Sequence, residues 1–248
     1  MLWVNADDFG FSKTITLAIL DCFKKGIITT TTACVNGPDF LESAKMIKGT
    51  LFEKKVGLHI NITEGEPLTE KIKDVKWLCK DGKFIGFPKR NHIFSKKDKN
   101  AIYEEIKEQF KAFKSTGLEI NHVDSHNHIH NAPGIFNLIL KIMKEEGVEK
   151  IRIFRNTGSI TFYKKIYKVM MNKRIEKNSY SSFMGSFEDL KLDWKKEKDS
   201  IYELMIHPDY DSAGELIDRE NEDYSLPIGK KIEALIGFIK EKNIKIIK

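Results

Sequence analysis

Short apolar runs alternate with helix-period patterns along the whole chain. Runs of apolar and β-branched residues predict strands at 2–4, 29–35, 56–60, 148–154 and 201–206. Apolar positions three and four residues apart predict helices at about 13–25, 98–115, 135–146, 160–174, 187–197 and 229–241. Because strands that alternate with helices usually pair in parallel, the pattern indicates an α/β fold.

Two local signals add to this pattern. Asp39 with Glu42 three residues later is typical of a helix start, and it predicts a further helix that ends at Gly49. Residues 61–97 carry glycine and proline without a clear period. A segment this long inside a compact domain is typical of a lid or a binding element.

A length of 248 residues fits one large α/β domain or two small ones, and since α/β barrels of this length usually form one domain, we expect a single domain over residues 1–248. The content of 41% hydrophobic and 31% charged side chains is ordinary for a globular protein. The net charge of +6 is mild, and the basic cluster at 96–99 is too small for a nucleic-acid surface. Without a signal sequence or a membrane-length apolar run, we expect a cytoplasmic protein that binds neither nucleic acid nor membrane. Cys22, Cys34 and Cys79 share no metal-ligand spacing and are interpreted as small buried thiols in a reducing compartment.

Metal-competent polar residues stand where several predicted strands end. They are Asp7, Asp8, His59, Asp124, His126 and His207. The carboxyl ends of parallel strands meet at one rim, where α/β barrels build their active sites. This distribution favours a distorted, TIM-barrel-like (β/α) barrel over an open sheet, although an open sheet would place ligands at the same edge.

Four of the seven histidines lie within residues 122–130. In an unbroken strand His122, Asp124, His126, His128 and His130 would all point to one face. Turn-forming residues predict instead a strand that ends near Asp124 and delivers Asp124 and His126 to the rim, with the later histidines on a loop. The alternative is a run of surface histidines.

The adjacent carboxylates of Asp7 and Asp8 repel each other unless a positive group lies beside them. A metal supplies that charge, and one carboxylate can bind it while its neighbour acts as a base on water. Asp8, His59 and His126 then form a three-ligand set with positions open for water and substrate. The alternatives are a helix cap or Asx-turn for the aspartates and a hydrogen-bonded core role for His59.

Three further residues have two interpretations each. His207 is either a general acid or a histidine whose ring bonds a backbone carbonyl. Arg152 and Arg155 either orient a substrate group or stabilise an acidic site.

Five strings of the sequence, in order, resemble the YdjC-type carbohydrate deacetylases, which include the chitooligosaccharide deacetylases. They are NADDFG at 5–10, TACVNG at 32–37, GLH at 57–59, HVDSHNHIH at 122–130 and MIHP at 205–208. The resemblance covers about residues 2–210. It is specific because NADDFG and HVDSHNHIH occur together, whereas any one string alone would be weak evidence. Residues 61–97 and 156–200 match poorly, so we expect the identity of the sugar to depend on them.

The resemblance implies a distorted barrel, often dimeric, with one divalent ion that is usually magnesium. It implies hydrolysis of the N-acetyl group of sugars such as diacetylchitobiose. By motif position, Asp8, His59 and His126 would bind the metal, Asp7 would be the base and His207 the acid. Ligand chemistry favours zinc or another transition metal, since magnesium prefers oxygen donors.

Two other classes use similar residues. A metal-dependent phosphoesterase, or another amidohydrolase-type barrel, would normally show more histidines at strand ends or a carboxylate that bridges two metals. A sugar-binding protein could keep the barrel without turnover, and would then bind chitobiose without releasing acetate.

Overall fold

The computed structural model describes residues 1–86, 94–194, 200–219 and 229–247. The strands are β1 (Leu2–Phe9), β2 (Thr30–Ala33), β3 (Val56–Ile60), β4 (Cys79–Lys80), β5 (Lys83–Phe84), β6 (Val123–Ser125), β7 (Phe183–Gly185), β8 (Tyr202–Ile206), β9 (Pro208–Tyr210) and β10 (Leu216–Asp218). The helices are α1 (Lys13–Lys24), α2 (Phe40–Ile47), α3 (Glu70–Lys73), α4 (Lys96–Ser115), α5 (Pro133–Glu146), α6 (Phe162–Arg174), α7 (Phe187–Asp193) and α8 (Gly229–Glu241).

Six strands form one sheet in the order β6–β3–β2–β1–β8–β7. The pairs β1–β8, β7–β8 and β3–β6 are parallel, with Val4 opposite Leu204 and His59 opposite Asp124. The predicted parallel α/β architecture is therefore confirmed. Closure of this sheet into a barrel stays a prediction.

Backbone contacts divide the chain into two compact units. The first unit comprises Met1–Asp7, Thr14–Thr31 and Lys150–Lys248, and the second comprises Asp8–Lys13 and Thr32–Glu149. The chain passes between the units four times, within β1, at the start of α1, within β2 and after α5, and Asp7 belongs to the first unit while Asp8 belongs to the second. A single domain over residues 1–248 stays a prediction.

Most predicted elements are present, with small shifts at their ends. β3 covers the predicted residues, and α1, α4, α5, α6 and α8 lie within two residues of their predicted bounds. β1 is longer than predicted, since it continues through Asp7 and Asp8 to Phe9. The predicted helix start at Asp39 exists, but the Asp39 side chain makes no capping hydrogen bond.

The predicted strand at 148–154 is wrong. Instead of pairing with a neighbouring strand, the backbone of Phe154 is satisfied by the side chain of Asn172 on α6. Asn172 Oδ1 accepts from the Phe154 amide at 2.8 Å, and its Nδ2 donates to the Phe154 carbonyl at 2.9 Å. The Asn172 side chain thus takes the place of a neighbouring strand in satisfying the backbone of Phe154. The hydrophobic pattern of residues 148–154 does not reveal this contact, because Asn172 lies far from them in the sequence.

The predicted excursion after β3 contains the short helix α3 and the β4–β5 hairpin, while residues 87–93 lie outside the described part of the chain. Two buried polar side chains of α4 anchor it. The Glu105 carboxylate accepts from the backbone amides of Leu68 and Thr69 at 3.0 and 2.8 Å, and Gln109 bonds both backbone groups of Asn61. This anchoring fixes the start of the excursion directly beyond the carboxyl end of β3.

Within the described ranges, the helices are all too short or too polar to cross a lipid bilayer.

Candidate active site

Asp8 lies near the carboxyl end of β1 with its side chain fully buried. Its backbone φ is 71°, in the left-handed region that few residues other than glycine adopt. Such a conformation costs free energy and is found preferentially at functional sites.

Two imidazoles converge on one oxygen of Asp8. His59 is the penultimate residue of β3, and its Nε2 lies 3.3 Å from Asp8 Oδ1. His126 directly follows β6, and its Nδ1 lies 2.9 Å from the same oxygen. Both rings are buried, at 1% and 5% exposure. The structure thus brings together the three residues that the sequence analysis selected as metal ligands.

In each imidazole, the ring nitrogen that does not face Asp8 lies beside another carboxylate. Asp124 Oδ1 lies 2.6 Å from His59 Nδ1, and the Thr32 hydroxyl donates to the other Asp124 oxygen at 3.0 Å. Glu64 Oε1 lies 3.2 Å from His126 Nε2. Carboxylates in this position orient the rings of metal-binding histidines and increase their basicity. Thr32 and Glu64 were not selected from the sequence, because Thr32 lies within a predicted strand and Glu64 lies in the irregular segment after β3.

The charges of this group are strongly coupled. Burial opposes ionisation of Asp8, but hydrogen bonds from His126 and His59 outweigh it and hold the pKa of Asp8 well below its usual range. Burial likewise opposes protonation of His126, but its contacts with Asp8 and Glu64 outweigh that effect and raise its pKa to about 9. A cation is therefore favoured between these side chains, and a proton on His126 fills that role.

A divalent metal fits the same donors. Asp8, His59, His126 and Cys34 each offer one ligand atom, and these atoms all lie within 4.8 Å of one another. One carboxylate and two imidazoles are a usual donor set for a catalytic transition metal. Cys34 directly follows β2 and is buried. From the sequence it was predicted to be a small buried thiol, and the strand predicted at 29–35 included it, whereas β2 ends one residue before it.

Asp7 forms hydrogen bonds with two residues of the first unit, Arg152 and Asn5. Arg152 donates from Nη1 to Asp7 Oδ2 and from Nη2 to Asp7 Oδ1, both at 2.7 Å. Asn5 Nδ2 donates to Oδ1 at 2.7 Å. Arg152 Nε donates to the buried Glu203 at 2.7 Å, and Tyr180 also donates to Glu203. The positive group beside Asp7 is thus a guanidinium, which answers the question left open for Arg152.

His207 directly follows β8 and is 7% exposed. Its Nε2 lies 3.9 Å from Asp7 Oδ2, and its Nδ1 lies 3.8 Å from Asp218 Oδ1. The backbone amide of His207 donates to the same Asp218 oxygen at 2.9 Å. Asp218 ends β10, which pairs with β9 opposite Pro208 and so returns the carboxylate to the histidine. Asp218 was not selected from the sequence.

Other contacts are described for the remaining histidines of the cluster and for Arg155. β6 ends at Ser125, and His126–Asn131 form a 3-10 turn, as the turn-forming residues predicted. His122 lies beside Asn121, and His130 Nδ1 lies 2.6 Å from the Ser125 hydroxyl. His128 is partly exposed, and Arg155 donates to Asp189 at 2.7 Å.

A model of the YdjC-like protein family matches residues 1–235. The chain belongs to the YdjC-like family. Two curated members are named carbohydrate deacetylase. One, from Clostridium beijerinckii, is 31% identical and aligns over 99% of this chain and 97% of its own. The other, from Thermoanaerobacter pseudethanolicus, is 28% identical over 98% and 95%.

A solved structure shares the fold of this YdjC-like chain. It is a crystal structure from Enterococcus faecalis V583 of a protein whose name proposes cellobiose-phosphate cleavage. The TM-score is 0.72 at 21% identity, and the match covers 100% of this chain and 96% of the other. The family model and the curated relatives, which match nearly the whole length, confirm the family suggested by the five sequence motifs.

Proposed function

We propose that this YdjC-like protein is a metal-dependent carbohydrate deacetylase that hydrolyses the N-acetyl group of acetylated amino sugars such as diacetylchitobiose. The observation that carries the proposal is the convergence of donor atoms from Asp8, His59 and His126. Full-length relatives with the name carbohydrate deacetylase support the reaction class.

Asp8, His59 and His126 would hold one divalent ion, which when bound polarises the acetamide carbonyl and activates a water molecule. Two imidazoles and one carboxylate suit zinc better than magnesium, which prefers oxygen donors. Magnesium, implied by the resemblance to the family, remains the alternative to test.

Asp7 is proposed as the base. Asp7 directly precedes Asp8 in the chain, so their Cα atoms are about 3.8 Å apart. As the water oxygen attacks the carbonyl carbon, the Asp7 carboxylate takes its proton. Arg152 and Asn5 keep that carboxylate in one orientation through three hydrogen bonds of 2.7 Å.

His207 is proposed as the acid. It gives a proton to the sugar nitrogen as the bond between that nitrogen and the carbonyl carbon breaks, so the amine leaves in neutral form. Asp218, bonded to the His207 backbone, helps to hold the residue in place. The products are acetate and the free amino sugar.

The proposal includes a homodimer with a cytoplasmic location. It also includes one distorted barrel domain over residues 1–248. Light scattering during size-exclusion chromatography tests the dimer.

The reaction is tested by measuring acetate release from a panel of N-acetylated sugars, first after chelation and then after addition of single metals. We expect no release after chelation and recovery with one divalent ion. Acetate release that survives complete metal removal would overturn the metal-dependent mechanism. Cleavage of phosphoesters without acetate release would assign the site to a phosphoesterase.

A further inference from the structure

Cys34 places a thiol against the proposed metal ligands. It is fully buried, and its Sγ lies 3.7 Å from Asp8 Oδ1. That oxygen is the one on which His59 Nε2 and His126 Nδ1 converge, at 3.3 and 2.9 Å. The four donor atoms come from the carboxyl ends of four strands of the sheet, β1, β2, β3 and β6.

The distances from Asp8 Oδ1 are compatible with a tetrahedral site. Bonds of about 2.0 Å to nitrogen or oxygen and about 2.3 Å to sulfur separate neighbouring ligand atoms by roughly 3.3 to 3.5 Å. The separations of Asp8 Oδ1 from the two ring nitrogens and from the sulfur, 2.9 to 3.7 Å, bracket those values. All four donor atoms lie within 4.8 Å of one another, so the thiol of Cys34 is within reach of an ion held by the other three.

The other two cysteines serve as a comparison. A buried thiol is usually a small apolar side chain, and Cys22 and Cys79 are buried as well. Burial raises the pKa of Cys22 to about 12 and that of Cys79 to about 11, as expected for inert thiols. In the described part of the chain, Cys34 belongs to a cluster of side chains that could hold a metal ion, whereas Cys22 and Cys79 belong to none.

We propose that Cys34 is a fourth protein ligand of the metal centre, so that the site is of the Asp-Cys-His₂ type and selects a thiophilic ion such as zinc over magnesium. This inference rests on the metal site of the proposed function. Thiolate favours zinc, while magnesium binds oxygen donors almost exclusively. Zinc sites also accept a fifth ligand, so a fourth protein donor is compatible with access of substrate.

Cobalt substitution tests the proposal without an activity assay. A thiolate bound to Co²⁺ produces a charge-transfer absorption band in the near ultraviolet, whereas nitrogen and oxygen ligands produce only the weaker visible bands. We expect the wild-type protein loaded with Co²⁺ to show both. Cys34→Ala should lose the near-ultraviolet band and keep the visible ones, and the matched variant Cys79→Ala should keep both. Zinc affinity should fall at least about tenfold in Cys34→Ala, with magnesium affinity unchanged.

The possible results separate the two proposals. Visible bands without the near-ultraviolet band in the wild-type protein would overturn the role of Cys34 and leave the three-ligand site intact. Failure to bind any cobalt would overturn both the metal site and the role of Cys34. X-ray absorption of the zinc-loaded wild-type protein covers the case in which Cys34→Ala does not fold. It should show a sulfur neighbour at about 2.3 Å, and a spectrum with only nitrogen and oxygen neighbours would contradict the proposal.

Discussion

Arg152 holds both oxygens of Asp7 in a two-pronged ion pair, with each of its two hydrogen bonds 2.7 Å long. Both side chains are buried, at 0% and 2% exposure, so water does not compensate either charge. The third nitrogen of the guanidinium bonds Glu203, which is also fully buried. One guanidinium is thus the counter-ion shared by two buried carboxylates.

Asp7→Asn should remove the base without disturbing the metal ligands. The amide keeps the size of the side chain but does not accept a proton from water. We expect kcat for acetate release to fall by about 10²–10⁴-fold. Metal content, measured by elemental analysis, should stay at the wild-type level. Near-normal turnover in this variant would show that Asp7 is not the base.

Arg152→Met should destabilise the protein strongly, since it leaves Asp7 and Glu203 buried without a counter-charge. Breaking a buried ion pair from one side costs about 3–5 kcal/mol. Lys45→Met is the control, because both members of the Lys45–Glu42 ion pair are 72% exposed. The control substitution should lower the free energy of unfolding by less than about 1 kcal/mol. Urea unfolding of both variants measures the difference, and equal losses would argue against a special role for the buried network.

His207→Gln should slow the step in which the amine leaves. Glutamine keeps a polar side chain at the end of β8 but does not supply an acidic proton. We expect a fall in kcat of about 10²–10⁴-fold with little change in KM. His128→Gln, on the 3-10 turn, is the control and should behave as the wild type. A His207→Gln variant that changes only KM would indicate a binding role instead of an acid.

Metal binding should strengthen as pH rises towards 9. In the metal-free protein His126 has a pKa raised to about 9, so it carries a proton throughout the neutral range. A metal binds only the neutral imidazole and must displace that proton. Affinity should therefore increase by at least about tenfold per pH unit below pH 9 and level off above it.

Calorimetry in buffers of different ionisation enthalpy measures this proton release directly. The experiment is best done in Cys34→Ala, where release from the thiol does not contribute. One proton should leave per metal bound at pH 7. An affinity that is flat between pH 7 and 9 would show that His126 is not protonated in the metal-free site.

Hydrophobic periodicity predicted the parallel α/β architecture and most helices, because these depend on which face of each element is buried. Polar residues at strand ends likewise identified Asp8, His59 and His126. The failures involve partners that are distant in sequence. Asn172 replaces a strand pairing at Phe154, and no local pattern reports that contact.

The same limit applies to the site. Arg152 and Glu203 are 51 residues apart, and their ion pair appears only when the fold brings them together. Cys34 was set aside because the cysteines lack a metal-binding spacing along the chain. Spacing along the chain is not informative when each ligand comes from a different strand. For such sites, the position of a residue relative to its strand end is the better signal.

The most direct test of the central claim is an anomalous diffraction measurement on crystals of the protein loaded with zinc. The account predicts one strong peak at the zinc absorption edge, with Asp8, His59 and His126 as ligands at about 2.0–2.2 Å. A peak bound by other residues, or no peak beside these three side chains in metal-saturated crystals, would contradict it.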